Sequence, residues 1–234
     1  MMYIILSNGM VKAFMIKQEI LDSNFNFAFK ATTYKNVNIA IKAYEEFMNI
    51  NNIFFNIEQS DLFGRILSYT IDKQFNDSSF NPKSNYSVIR KDVNGYKHKA
   101  LFIETDDFTL NIGKTLKNTQ LLPKAKYKNE LAKRNDEYNN QYEMDAIKKL
   151  KIEMGIEDIS LPRHYGVITY GYFNKVLTHL QLIIPDSTYT AAIHTDNLLI
   201  NSAQYDSFVP KAVEEEDIVK LRQSILTAIE KGIV

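Results

Sequence analysis

The 234-residue chain has no cysteine and no tryptophan, and only eight glycines and five prolines. Without thiols, disulfides, thiolate zinc sites, iron–sulfur clusters and cysteine nucleophiles are all excluded. A cysteine-free composition fits a reducing compartment, and the expected location is cytoplasmic. No run reaches the roughly 20 apolar residues that a helical bilayer crossing needs. The apolar opening Met2–Leu6 is shorter than a secretory h-region and has no basic segment before it. Excess charge of either sign is also missing: 28 Lys and Arg balance 28 Asp and Glu. That balance disfavours both a globally basic nucleic-acid protein and an acidic DNA mimic. With 45% hydrophobic and 24% charged residues, the chain has the composition of a folded globular domain. Fourteen Tyr and fourteen Phe carry the aromatic burial.

Apolar spacing predicts helices over 10–21, 38–49 and 61–75, with Ser60 or Asp61 available as a cap for the third. Asn24–Thr33 alternates polar and aromatic residues, as in a short strand or loop. After residue 80 the period shortens to two. Tyr86–Val93, Lys97–Thr105 and Phe108–Ile112 read as strands, the first two joined by Asn94-Gly95, a strong hairpin signal. Polar helices are expected over 127–141 and 144–153. Strands follow at 165–172, 176–184 and 189–195, with a turn at Phe173-Asn174-Lys175. The segment 197–209 has no clear pattern. The last helix, 214–232, has acidic residues in its first turn and a stripe of Ile218, Leu221, Ile225, Ala228 and Ile229. The expected fold is α+β. About six mostly antiparallel strands form two three-stranded meanders, and N-terminal, central and C-terminal helices cover one face. A single domain over 1–234 is the expected division, and a helical N-terminal subdomain over 1–80 is the alternative.

Neutrality overall hides segregation. From Lys83 to Arg134 twelve Lys and Arg stand against five Asp and Glu, a local net of +7. The densest part is Lys114, Lys117, Lys124, Lys126, Lys128, Lys133 and Arg134, opposed only by Glu130. Tyr127 lies among them as a stacking group. Such a strip attracts a polyanion and gains affinity by releasing its counterions, without reading sequence. A solvated face is the plainer account. Within the strip, Lys133 and Glu137 have intrahelical pairing distance. Gly113-Lys114-Thr115 matches the end of a phosphate-binding loop, but Phe108 stands where the first glycine of that motif belongs.

Asp92, Glu104, Asp106 and Asp107 gather around one predicted hairpin. Paired carboxylates can hold Mg²⁺ for phosphodiester hydrolysis. The helix–strand–strand–strand order here resembles the PD-(D/E)xK nuclease core over about 50 residues, with Asp92 and Glu104 matching its acids. Asp106 stands where that family carries lysine, so turn chemistry is the preferred account of these residues. The four histidines, 98, 164, 179 and 194, have no metal-ligand spacing, and no metal site is expected. Strand alternation places His179 and Gln181 opposite Leu180, Leu182 and Ile184. With Thr169 and His194 they would line a polar patch able to bind a ligand or supply a general base, so His179 and His194 join Asp92, Glu104 and Asp106 as catalytic candidates.

The expected function is non-catalytic binding of a macromolecule, either protein or nucleic acid, with no membrane partner and no cofactor. A regulator, inhibitor or immunity-type factor fits, because the Lys-, Asn- and Ile-rich composition is similar to that of low-GC bacteria, their phages and other mobile elements. A Mg²⁺-dependent nuclease using Asp92, Glu104 and Asp106 is the alternative. Self-association through the Tyr- and Phe-rich surface is a third reading.

Overall fold

The computed structural model describes residue 16 and residues 18–51, 60–81, 84–93, 99–137 and 163–234. The period-two segments become strands β1 (Ser87–Asp92), β2 (Lys99–Glu104), β3 (Phe108–Lys114), β4 (His164–Phe173), β5 (Val176–Pro185) and β6 (Ala192–Asn197). They form one six-stranded sheet in chain order. β1–β2–β3 and β4–β5–β6 are antiparallel meanders. The two are fused edge to edge by a parallel β3–β4 pairing, Phe108↔His164 through Lys114↔Tyr170. The sheet is therefore mixed. A parallel pair needs a long crossover, and here residues 115–163 supply it. The Asn94-Gly95 tip lies outside the described residues, although β1 and β2 pair as a hairpin requires. In the β4–β5 turn, Asn174 and Lys175 both have positive φ, as a type I′ turn demands.

Helices are α1 (Gln18–Asn24), α2 (Phe27–Asn51), α3 (Ser60–Ser79), α4 (Lys126–Ala132), α5 (Arg134–Glu137), α6 (Ser202–Phe208) and α7 (Lys211–Glu230). The expected strand or loop at Asn24–Thr33 is helical except at Phe25-Asn26, which separate α1 from α2. Its aromatic alternation contains an i,i+4 pair: Phe25 and Phe29 meet edge to face at 5.2 Å, while Phe27 faces solvent. Asn26 starts α2 by accepting the Phe29 N–H at 3.1 Å. The unassigned stretch after residue 197 contains α6, held by a capping box between Asn201 and Gln204. The central helix is interrupted at Lys133, and residues 138–141 of its expected span lie outside the described residues. The helix expected over 144–153 lies outside the described residues, as does most of the one over 10–21.

Both sheet faces are covered, not one. Leu101, Ile103, Phe108, Leu110, Ile168, Leu180, Leu182 and Ile184 point to one face and pack with apolar residues of α1, α2, α3 and α7. We call this the helical face. The opposite face carries a smaller cluster of Tyr165, Val167, Ile183 and Tyr189, joined by Leu122 and by Ala132 of α4. Gly113 makes this second layer fit: a Cβ there would stand 2.7 Å from a methyl of Leu122. Gly113-Lys114-Thr115 thus ends a strand beneath a folded-back loop, and its glycine admits a leucine.

Candidate functional site

The basic strip leaves the sheet at the end of β3 and continues into α4 and α5. Lys114 sits on the helical face with its ammonium 4.2 Å from the Tyr172 ring centre. Lys117, Lys124 and Lys126 are exposed on the loop and the first turn of α4, and none is in an ion pair among the described residues. Arg134 is half-buried. Lys133 is exposed and pairs with Glu130 at 3.0 Å; the Glu137 side chain lies outside the described residues. Two members of the strip turn inward. Lys128 is only 8% exposed, and its ammonium donates to the Pro123 carbonyl at 2.8 Å. Burial holds its pKa below the ordinary lysine value. Tyr127 packs edge to face on Phe102, 6.1 Å between ring centres, which removes one face from any stacking role. The solvent-facing cations of the loop and α4 are therefore Lys117, Lys124, Lys126 and Lys133, with Arg134 beside them and Lys114 exposed on the helical face.

The carboxylate set does not converge. Asp92 pairs with Lys99 and Glu104 with Ser87, at opposite ends of the β1–β2 ladder. Five residues of strand separate the two positions, about 16 Å at ~3.3 Å per residue. Strand alternation also sends the two side chains to opposite faces. One Mg²⁺ with oxygen ligands at about 2 Å cannot bridge them. Glu104 instead takes Arg163 at 2.6 Å and Lys91 at 3.2 Å. Asp106 gives its carbonyl to the Arg163 Nε, at 3.3 Å. Asp107 is bound to Asn24. The acids serve the turn, and the fit to the nuclease core fails on register as well as on its missing lysine. Among the described residues, no three His, Asp or Glu side chains are grouped to hold a metal ion.

The polar patch forms only in part. Thr169 lies opposite Gln181 and Gly171 opposite His179 on the face away from α2 and α3. His179 Nε2 is 2.9 Å from the Thr115 hydroxyl. The ring lies across Gly171, where a Cβ would come within 2.2 Å of it. Burial depresses the His179 pKa, and its ring fastens the strip's loop to the sheet. His194 pairs with Ile184, so it belongs to the other face, near the Lys30–Asp196 ion pair between α2 and β6. The two histidines are not in one site.

Two concavities escaped the sequence reading because their walls come from distant segments. A cleft of about 810 Å³ is lined by Arg65, Ser68, Tyr69 and Asp72 of α3, Arg90 of β1 and Lys99 of β2. A groove of about 570 Å³ lies among α2, α6, α7 and the β4–β5 turn. At its base the buried Glu214 accepts from Lys42 and Asn38. The sequence signal for the first was an i, i+4, i+7 row, Arg65, Tyr69 and Asp72, on one stripe of an amphipathic helix. No helix among the described residues is long and apolar enough to cross a membrane. Comparisons with protein-family models, with curated proteins and with solved structures find no match for this chain.

Proposed function

We propose that the protein is a non-catalytic binding protein that holds a nucleic acid by its phosphates along the β3–α4 loop and α4. The observation that carries this reading is the set Lys117, Lys124 and Lys126: exposed, close in sequence and without an ion-pair partner among the described residues. Cations left unpaired next to a sheet end keep their full field for a polyanion. Lys133 and Arg134 continue the strip along α4 and α5. The contacts are to backbone, so binding is insensitive to sequence and sensitive to salt.

Fluorescence anisotropy against labelled single- and double-stranded DNA and RNA tests the reading. For four phosphate contacts on duplex DNA, the log–log salt slope is about −3.6. The variant Lys117→Glu/Lys124→Glu/Lys126→Glu removes binding while leaving the far-UV circular dichroism unchanged. Absence of binding at low salt, or binding unaffected by the triple reversal, overturns the proposal.

A further inference from the structure

The cleft between α3 and the β1–β2 edge is on the helical face, across the sheet from α4, and stands apart from the basic strip. Arg65, Tyr69 and Asp72 project from one stripe of α3, and Arg90 and Lys99 face them from neighbouring strands. Tyr69 is anchored from behind, its hydroxyl 3.5 Å from the Ser224 carbonyl of α7. Gly64 opens the wall further, since a Cβ there would have nothing within 4 Å.

The charges here are only partly compensated. Arg90 reaches Asp72 at 3.8 Å, too long for a good charge-assisted hydrogen bond, so its guanidinium donors remain available. Arg65 and Lys99 have no ion pair among the described residues. Val234 closes one edge. Three cations from three separate elements thus converge on a cavity within the usual ligand-pocket range of about 300–1,000 Å³. Guanidinium forks match the oxygens of a phosphate, and an ammonium supplies a further point charge.

We propose that this cleft is a binding site for the phosphate group of a small phosphate monoester, held by Arg65, Arg90 and Lys99, with the Ser68 hydroxyl as an additional donor. Asp72 opposes the ligand's charge and limits the affinity. The site is independent of the nucleic-acid reading above and shares no residue with it.

The test is isothermal titration of the full chain at pH 7.5 with inorganic phosphate, phenyl phosphate and benzoate. Phenyl phosphate is expected to bind with benzoate at least about tenfold weaker, because a carboxylate carries less charge and one fewer acceptor oxygen. Arg90→Gln/Lys99→Gln is expected to weaken phenyl phosphate about tenfold or more. Asp72→Asn is expected to tighten it several-fold, a gain that a misfolded variant cannot produce. Lys117→Glu/Lys124→Glu/Lys126→Glu is expected to leave it unchanged, which separates this site from the nucleic-acid surface. No heat with either phosphate at 10 mM (roughly the weak limit of specific anion binding) overturns the proposal. So does equal affinity for benzoate, or an Asp72→Asn protein that binds no tighter.

Discussion

The Asn24 carboxamide grips Asp107 at two points. Its Nδ2 donates to the Asp107 carboxylate at 2.8 Å, and the Asp107 N–H donates to its Oδ1 at 3.1 Å. The last residue of α1 thereby fixes the β2–β3 turn 83 residues away. The Asp107 carbonyl in turn accepts the His164 N–H at 2.8 Å, the first link between β3 and β4. Asn24→Ala removes both bonds from a half-buried turn and is expected to cost about 1–3 kcal/mol. Urea unfolding measures this as a lower midpoint with an unchanged m-value. A variant as stable as the parent would show that the turn holds itself.

Asn135 has a larger expected effect. Its Nδ2 donates to the carbonyls of Tyr165 (2.9 Å) and Pro185 (2.7 Å), and its Oδ1 accepts the Tyr165 N–H at 2.8 Å. The Tyr165 hydroxyl continues the chain to Asn111 Oδ1, and Asn111 Nδ2 reaches the Leu101 carbonyl. One buried network therefore crosses β2, β3, β4 and β5 on the face under α4 and α5. Asn135→Ala strands three backbone groups in a site 4% exposed, at a cost of about 3 kcal/mol. Asn135→Asp keeps the shape and the acceptor but loses the donors, so it is expected to destabilise as well. Thermal unfolding of both, compared with an alanine at the exposed Lys133, separates the network from local helix effects.

A half-buried carboxyl and a buried imidazole pull the acid stability in opposite directions. Burial pushes the Asp72 carboxyl up to about 6 despite Arg90 nearby. Burial pushes the His164 imidazole down to about 4, against the attraction of Asp107. Unfolded, the two titrate near ~3.9 and ~6.5. Between about pH 4 and 6 the folded protein holds more protons at Asp72, so that group's contribution to stability falls as pH rises. Over nearly the same window the unfolded chain holds more protons at His164, so its contribution falls as pH drops. Each amounts to about 3 kcal/mol at ~1.4 kcal/mol per unit, and they largely cancel. Asp72→Asn uncovers the histidine: stability is expected to drop by about 2–3 kcal/mol between pH 6.5 and 4, where the parent changes less. Denaturant midpoints across that range decide it, and parallel curves for the two proteins would refute the assignment.

Sequence patterning recovered the elements whose signal is local. Strict alternation located β5, and the stripe Ile218, Leu221, Ile225 and Ala228 located α7, where all four are buried. It failed where a pattern has two periods at once. Phe25, Phe27 and Phe29 satisfy both a strand and a helix, and packing on Phe108 at 4.6 Å chose the helix. The parallel β3–β4 pairing carries no local mark, because it depends on a 49-residue excursion returning beside its start. The site candidates were limited by the same physics. Asp92 and Glu104 look close in a linear reading of a hairpin, yet antiparallel register sets them at opposite ends. His179 and His194 look equivalent until the β5–β6 register, which sets His194 beside Ile184, sends them to different faces. The α3 cleft needed three segments to be brought together, which no spacing rule encodes.

Lys128 separates two roles that sequence alone merges. It sits among Lys124, Lys126 and Lys133 in composition, but its ammonium is buried and caps the Pro123 carbonyl. Its methylenes are buried with it, the residue being 8% exposed. Truncating it leaves that carbonyl without its donor and removes packed methylenes, so Lys128→Ala is expected to cost about 1–2 kcal/mol. Alanine at the exposed Lys117, Lys124 or Lys126 is expected to shift stability by no more than about 0.5 kcal/mol. The consequence for binding runs the other way: each exposed lysine removed should lessen the salt slope by about 0.9, whereas Lys128→Met, which keeps the bulk without the charge, should leave it unchanged. Chemical denaturation of the four alanine variants, and salt-titrated anisotropy of the three exposed-lysine alanines beside Lys128→Met, give two orderings that must be opposite. If Lys128→Met lessens the slope as much as Lys124→Ala, the buried ammonium faces the polyanion after all, and the division of the strip into exposed and structural lysines is wrong.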